Sequence, residues 1–125
     1  MTRKELILAV LAVGGSYTIS RLLKTLFLVS RNIPGAVEPA FHCQPEYYGP
    51  VDKYVDVAAA QLAEQGLANI HLFEEGHCYL YSATETGVEM GWEFLGRLSK
   101  EEQTYVREAA RWVRSELPHA SSLDL

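Results

Sequence analysis

The sequence predicts an α+β fold, mostly helical, on three observations. Apolar residues recur at helical spacing through most of the 125 residues. The period changes to alternation around residues 69–81, where Asn69-Ile-His-Leu-Phe73 and His77-Cys-Tyr-Leu-Tyr81 read as two strands joined by Glu74, Glu75 and Gly76. Caps and glycine stops separate these stretches, with no repeat, low-complexity tract or long linker. A chain that is 48% hydrophobic can bury a core at this length without a disulfide or a structural metal.

The first helix is expected over residues 3–13. Thr2 and Glu5 stand at capping-box spacing, and Gly14-Gly15 accept the positive φ that ends a helix. Residues 16–18 offer several caps for a second helix, in which Ile19, Leu22, Leu23, Leu26 and Phe27 share one face and Arg21 and Lys24 the other. Residues 32–44 hold Pro34, Gly35 and Pro39 and read as an irregular loop. Pro50 suits the first turn of a third helix, where its missing N–H would have no partner. That helix is expected over residues 51–65, with Tyr54, Val55, Ala58 and Leu62 on one side and Gly66 as its stop. After the hairpin, residues 82–86 supply caps for a fourth helix through Val88, Trp92 and Leu95. Ser99 and Glu102 form a second capping box, opening a last helix to about residue 117 that Pro118 helps to stop.

Helix, helix, extended elbow, helix, then hairpin is the winged helix-turn-helix arrangement: three helices plus a β-hairpin wing, here with additional C-terminal helices. The organisation expected is a winged-helix domain over 1–98, a C-terminal helix over 99–117 packed on it or forming a dimer contact, and a flexible tail over 118–125.

Two stretches carry a family likeness. Ser20-Arg-Leu-Leu-Lys-Thr-Leu-Phe-Leu28 followed by Glu46-Tyr-Tyr-Gly-Pro-Val51 resembles prokaryotic winged-helix proteins with a leucine-x-Lys-leucine-x-aromatic helix and a Tyr-Gly-Pro elbow, the Panacea antitoxin-like domains among them. Tyr81 to Gly87 is similar to the Tyr-x-x-Thr-x-x-Gly stretch that follows the wing in such regulators. The likeness covers residues 5–95, with Tyr-Gly-Pro its distinctive word, and weakens towards Panacea after Val51. It implies a regulatory or antitoxin-like binder with no active site to carry over.

Charge is unevenly spread. The net charge is −5, yet residues 1–31 carry five basic groups against Glu5 alone, and residues 32–96 carry ten acids against Lys53 alone. Cys43 and Cys78 form no C-x-x-C pair, which favours a reducing, cytoplasmic setting. Arg3 and Lys4 ahead of the apolar run 6–13 imitate a signal peptide, but Glu5 interrupts them, and the run is far short of the roughly 20 residues that span a bilayer. No membrane association is expected.

Catalytic and metal chemistry find little support. His42, Cys43, His71, His77 and Cys78 are possible zinc ligands, but neighbours on a strand point to opposite faces, and His71 with His77 across the hairpin gives only two ligands. No Gly-rich phosphate loop, H-E-x-x-H or G-x-S-x-G occurs. The expectation is therefore a non-enzymatic protein without metal or cofactor.

Two classes of partner remain. Double-stranded DNA is the usual ligand of the arrangement, with Arg21, Lys24, Arg31, Lys53 and Gln61 as contact residues, and transcription regulation or an antitoxin-like role as the consequence. Against it, the third helix offers Asp52, Asp56 and Glu64 and the wing tip Glu74 and Glu75, the wrong sign for phosphate. The alternative is a basic protein bound through those five acids, with Tyr47 or Tyr48 at the elbow as aromatic anchor. In the last helix Val106, Ala109, Ala110, Val113 and Leu117 form a stripe edged by Tyr105 and Trp112, with Arg107, Arg111 and Arg114 opposite. The stripe either packs on the first helix or zips a homodimer through Tyr105 and Trp112.

Overall fold

The computed structural model describes residues 2–33, 44–46, 49–51, 53–73 and 78–116, the segments 44–46 and 49–51 by backbone alone. Its elements are α1 (Arg3–Gly14), β1 (Tyr17–Thr18), α2 (Ile19–Asn32), β2 (Gln44–Glu46), β3 (Gly49–Val51), α3 (Lys53–Glu64), β4 (Ala68–Phe73), β5 (Cys78–Ala83), α4 (Glu85–Leu95) and α5 (Lys100–Glu116). The architecture is α+β and mostly helical, with a three-stranded antiparallel sheet in the order β1-β5-β4 and a separate β2-β3 pair.

Helix α1 is the axis of the core. Every residue from Leu6 to Leu11 is buried, so the helix is apolar all round and must be surrounded by other elements. Those elements are α2, α3, α4, α5 and β5. Its start is the expected capping box: the Thr2 amide donates to Glu5 Oε1 at 2.8 Å, and the Glu5 amide to Thr2 Oγ1 at 3.2 Å. Its end is Gly15, at φ 82°, where a side chain would be strained. Arg114 of α5 donates to the Gly14 carbonyl at 2.7 Å, setting a cation on the negative end of the helix.

Tyr17 locks the next turn. Its ring is fully buried over Gly14, where a Cβ would overlap it, and its hydroxyl donates to the Val10 carbonyl at 2.8 Å. Burial raises this phenol far above its ordinary pKa. Residues 16–18 do more than cap. Thr18 is the N-cap of α2, but Tyr17 and Thr18 also pair with Tyr81 and Leu80 of β5, a strand that no local period announces because it is two residues long.

The elbow differs from expectation. Pro50 lies in β3, paired with Pro45 of β2, and α3 begins at Lys53 instead of 51. Both prolines stand on a two-stranded ribbon, in which each strand has one partner strand among the described residues, and a missing N–H is tolerated on an edge strand. The hairpin after α3 forms in the region expected, each strand one residue longer, with Ala68 opposite Ala83 and Phe73 opposite Cys78.

Thr84 ties three elements together. Its amide donates to the Leu67 carbonyl at 3.0 Å, its hydroxyl donates to the Gly66 carbonyl at 2.7 Å, and the hydroxyl oxygen accepts from the Gly87 amide at 3.0 Å to cap α4. Helix α4 then lies closely on α1. A Cβ on Gly91 would come within 2.6 Å of both the Leu8 carbonyl oxygen and the Ala12 methyl. The face that α4 buries is Gly87, Gly91 and Leu95, and Trp92 beside it is exposed. Helix α5 opens with the Ser99–Glu102 capping box and buries Val106, Ala109, Ala110 and Val113 against α2 and α1 together. Leu117 and the tail expected over 118–125 lie outside the described residues.

Candidate functional site

The outward face of α3 is built by helical spacing. Val55, Ala58, Ala59 and Leu62 turn inward and are buried, which sends Asp56, Val57, Ala60, Gln61 and Glu64 to solvent. Tyr54 stays half-buried, with the Arg3 guanidinium carbon 3.8 Å from its ring centroid. Asp56 stands at the sheet side of this face. Burial raises the Tyr81 phenol pKa, and the Asp56 charge adds to that rise. Val57 is 54% exposed, so the face combines two carboxylates with bare apolar area. Of the other residues expected here, Tyr47, Tyr48, Asp52, Glu74 and Glu75 lie outside the described residues, and Lys53 is described by its place at the start of α3 alone.

The hairpin adds a surface that charge reasoning overlooked. Ala68 with Ala83 and Ile70 with Tyr81 form cross-strand pairs on the core side of the sheet. The next pair on that side is Leu72 with Tyr79, and it has run past the core: the two are 54% and 52% exposed. The alternation Ala68, Ile70, Leu72 and Tyr79, Tyr81, Ala83 is legible in the sequence, but its length against the core is not. His71 is exposed on the opposite side, and its register partner is Leu80, so it does not face position 77 as the zinc reading required. His42, Cys43 and His77 lie outside the described residues. Among the described residues, three or more His, Cys, Asp or Glu side chains nowhere gather as a metal site would need.

Three of the four cations expected to meet phosphate share a stripe on α2, Lys53 being on α3. Arg21, Lys24, Leu28 and Arg31 fall at i, i+3, i+7 and i+10, within one quadrant of the helix. They are not equally available: Arg31 is exposed beside the Phe27 ring, whereas Arg21 and Lys24 are half-buried. Leu28 links this stripe to α5. The Tyr105 hydroxyl donates to the Leu28 carbonyl at 3.4 Å, and a shallow groove of about 380 Å³ opens between the helices, lined by Leu28, Tyr105, Glu108, Ala109 and Trp112. Trp112 is 51% exposed. Behind it the arginines divide. Arg107 and Arg111 project to solvent, while the Arg114 head group is held by α1 and does not belong to a free basic face.

No family model matches the chain, no curated protein matches it, and no solved structure matches it. Among the described residues, no helix is long and apolar enough to cross a membrane.

Proposed function

We propose that this chain is a winged-helix domain that works by binding a protein partner through α3 and the wing, and not by catalysis. The topology supports the fold reading: β1 lies between α1 and α2 and pairs with β5, the returning strand of a hairpin that follows α3. The observation that carries the functional reading is the outward face of α3. In a DNA-reading winged helix this face enters the major groove, where cations and amides meet phosphates and base edges. Among the described side chains of this face, Asp56, Val57, Ala60 and Glu64 accompany one amide, Gln61. Two carboxylates repel phosphate, whereas an apolar centre rimmed by carboxylates suits a basic protein surface.

The test compares wild type with the Asp56→Lys, Glu64→Lys double variant. The probes are an array of Arg- and Lys-rich peptides and a random-sequence DNA duplex, both at low salt. Wild type is expected to hold peptides and release duplex, and the variant to do the reverse. Tight duplex binding by wild type that the variant leaves unchanged overturns the reading.

A second reading, DNA binding, is favoured by Arg31 and Lys24 on one stripe of α2. Two phosphate contacts would give log affinity against log salt a slope of only about −2. A steeper slope for the wild-type protein would favour DNA.

A further inference from the structure

We propose that the chain forms a two-fold symmetric homodimer through the face shared by α2 and α5, with the basic rail of one copy lying on the acidic rail of the other. The apolar strip comes first. Leu28, Tyr105 and Trp112 border the groove, and an exposed tryptophan beside a half-buried tyrosine is the composition that carries binding energy at interfaces.

The charges beside the strip choose the occupant. On α2, Lys24, Leu28 and Arg31 follow at i, i+4 and i+7; on α5, Glu101, Tyr105 and Glu108 follow at the same intervals. Each triplet is an apolar side chain between two like charges, positive on α2 and negative on α5. Because the intervals match, both rails space their charges about 10 Å apart along their helices. The ion pair seen among the described residues joins Glu5 to Arg97 and uses none of these four groups. Arg31, Glu101 and Glu108 are exposed.

A surface with a positive edge, an apolar centre and a negative edge is complementary to itself. Rotating a second copy by half a turn about an axis along the groove sets its α5 rail over the α2 rail of the first, and the reverse contact forms by symmetry. A two-fold across the groove would set cations on cations, so the charges also select the orientation. A basic protein would meet repulsion at the α2 edge and an acidic one at the α5 edge.

The test is a pair of charge reversals followed by analytical ultracentrifugation. Wild type is expected to sediment as a concentration-dependent dimer that weakens with salt. The Lys24→Glu, Arg31→Glu variant has two negative rails, and the Glu101→Lys, Glu108→Lys variant has two positive rails. Each alone should be a monomer, and an equimolar mixture should restore the dimer. Trp112→Ala should weaken self-association about 30-fold, the size of a hot-spot truncation. Matching thermal unfolding curves show that each variant is folded, and the mixing experiment reports on pairing even if one is less stable. A monomeric wild type, or reversals that dimerise alone as wild type does, overturns the proposal.

Discussion

Two helix seams in this molecule are built on opposite rules. Where α4 meets α1, glycine and alanine bring the backbones together until no further side-chain atom fits: Gly91 lies against the Leu8 carbonyl and Ala12. Where α5 meets α2, Val106, Ala109, Ala110 and Val113 make the buried contact, and beside them Leu28, Tyr105 and Trp112 border an open groove. A seam closed to atomic contact contributes to folding alone, because a partner finds no area on it. The open seam leaves apolar surface in water, which has a use only if something covers it. The same contrast separates the inner and outer ends of the hairpin, where Tyr81 is buried and Tyr79 is not.

Substitutions can break this contrast, and the closed seam should give the largest effect. Gly91→Leu forces α4 away from α1 and is expected to cost about 3 kcal/mol, read as a lowered urea midpoint with an unchanged slope. A cost below about 1 kcal/mol would mean that the seam is not close-packed. Tyr17→Phe comes next. It removes the bond to Val10 while keeping the ring over Gly14, so a loss of about 1 kcal/mol is expected.

The same tyrosine predicts a pH dependence. Its folded-state pKa is raised by burial, so the stability it contributes is intact below the unfolded phenol value of 10.0 and falls as pH rises beyond it. Unfolding monitored by circular dichroism should show wild type losing stability above that pH more steeply than Tyr17→Phe. Glu5 works the other way at the acid end. The Thr2 amide holds its carboxyl below the ordinary value, with Arg97 assisting, so its contribution is present at neutral pH and lost on acidification below about 4.5. Glu5→Gln should flatten the acid limb slightly.

The smallest effect on stability is expected in the open seam. Trp112→Ala should shift the unfolding free energy of the monomer, measured at high dilution, by no more than about 0.5 kcal/mol. Charge reversals at Glu101 and Glu108 should do as little. A large loss at Trp112 would show that the groove is part of the core, and the comparison between the seams would fail.

Much of the fold is legible locally. Both capping boxes, the glycine stops at Gly15 and Gly66, and the hairpin's alternation are signals completed within a few residues, so the elements they delimit fall close to where the sequence puts them. The candidate surface is legible only in part. Helical spacing alone sends Asp56, Gln61 and Glu64 outward on α3, and the acidity of that face can be read directly. Its apolar part cannot, since Val57 looks like any core valine until the neighbours of α3 are known.

What the sequence by itself determined is the kind and order of most elements, because caps, periods and positive-φ glycines act over one or two turns of chain. Tertiary structure decided the rest. β1 exists because β5, more than sixty residues away, offers it an edge, and Pro50 sits in a strand because β2 pairs with it. Trp92 and Trp112 are exposed because glycines and alanines beside them make the helix contacts instead. Whether an apolar side chain is core or surface depends on which distant segment covers it, and that pairing is a property of the packed chain with no local signature.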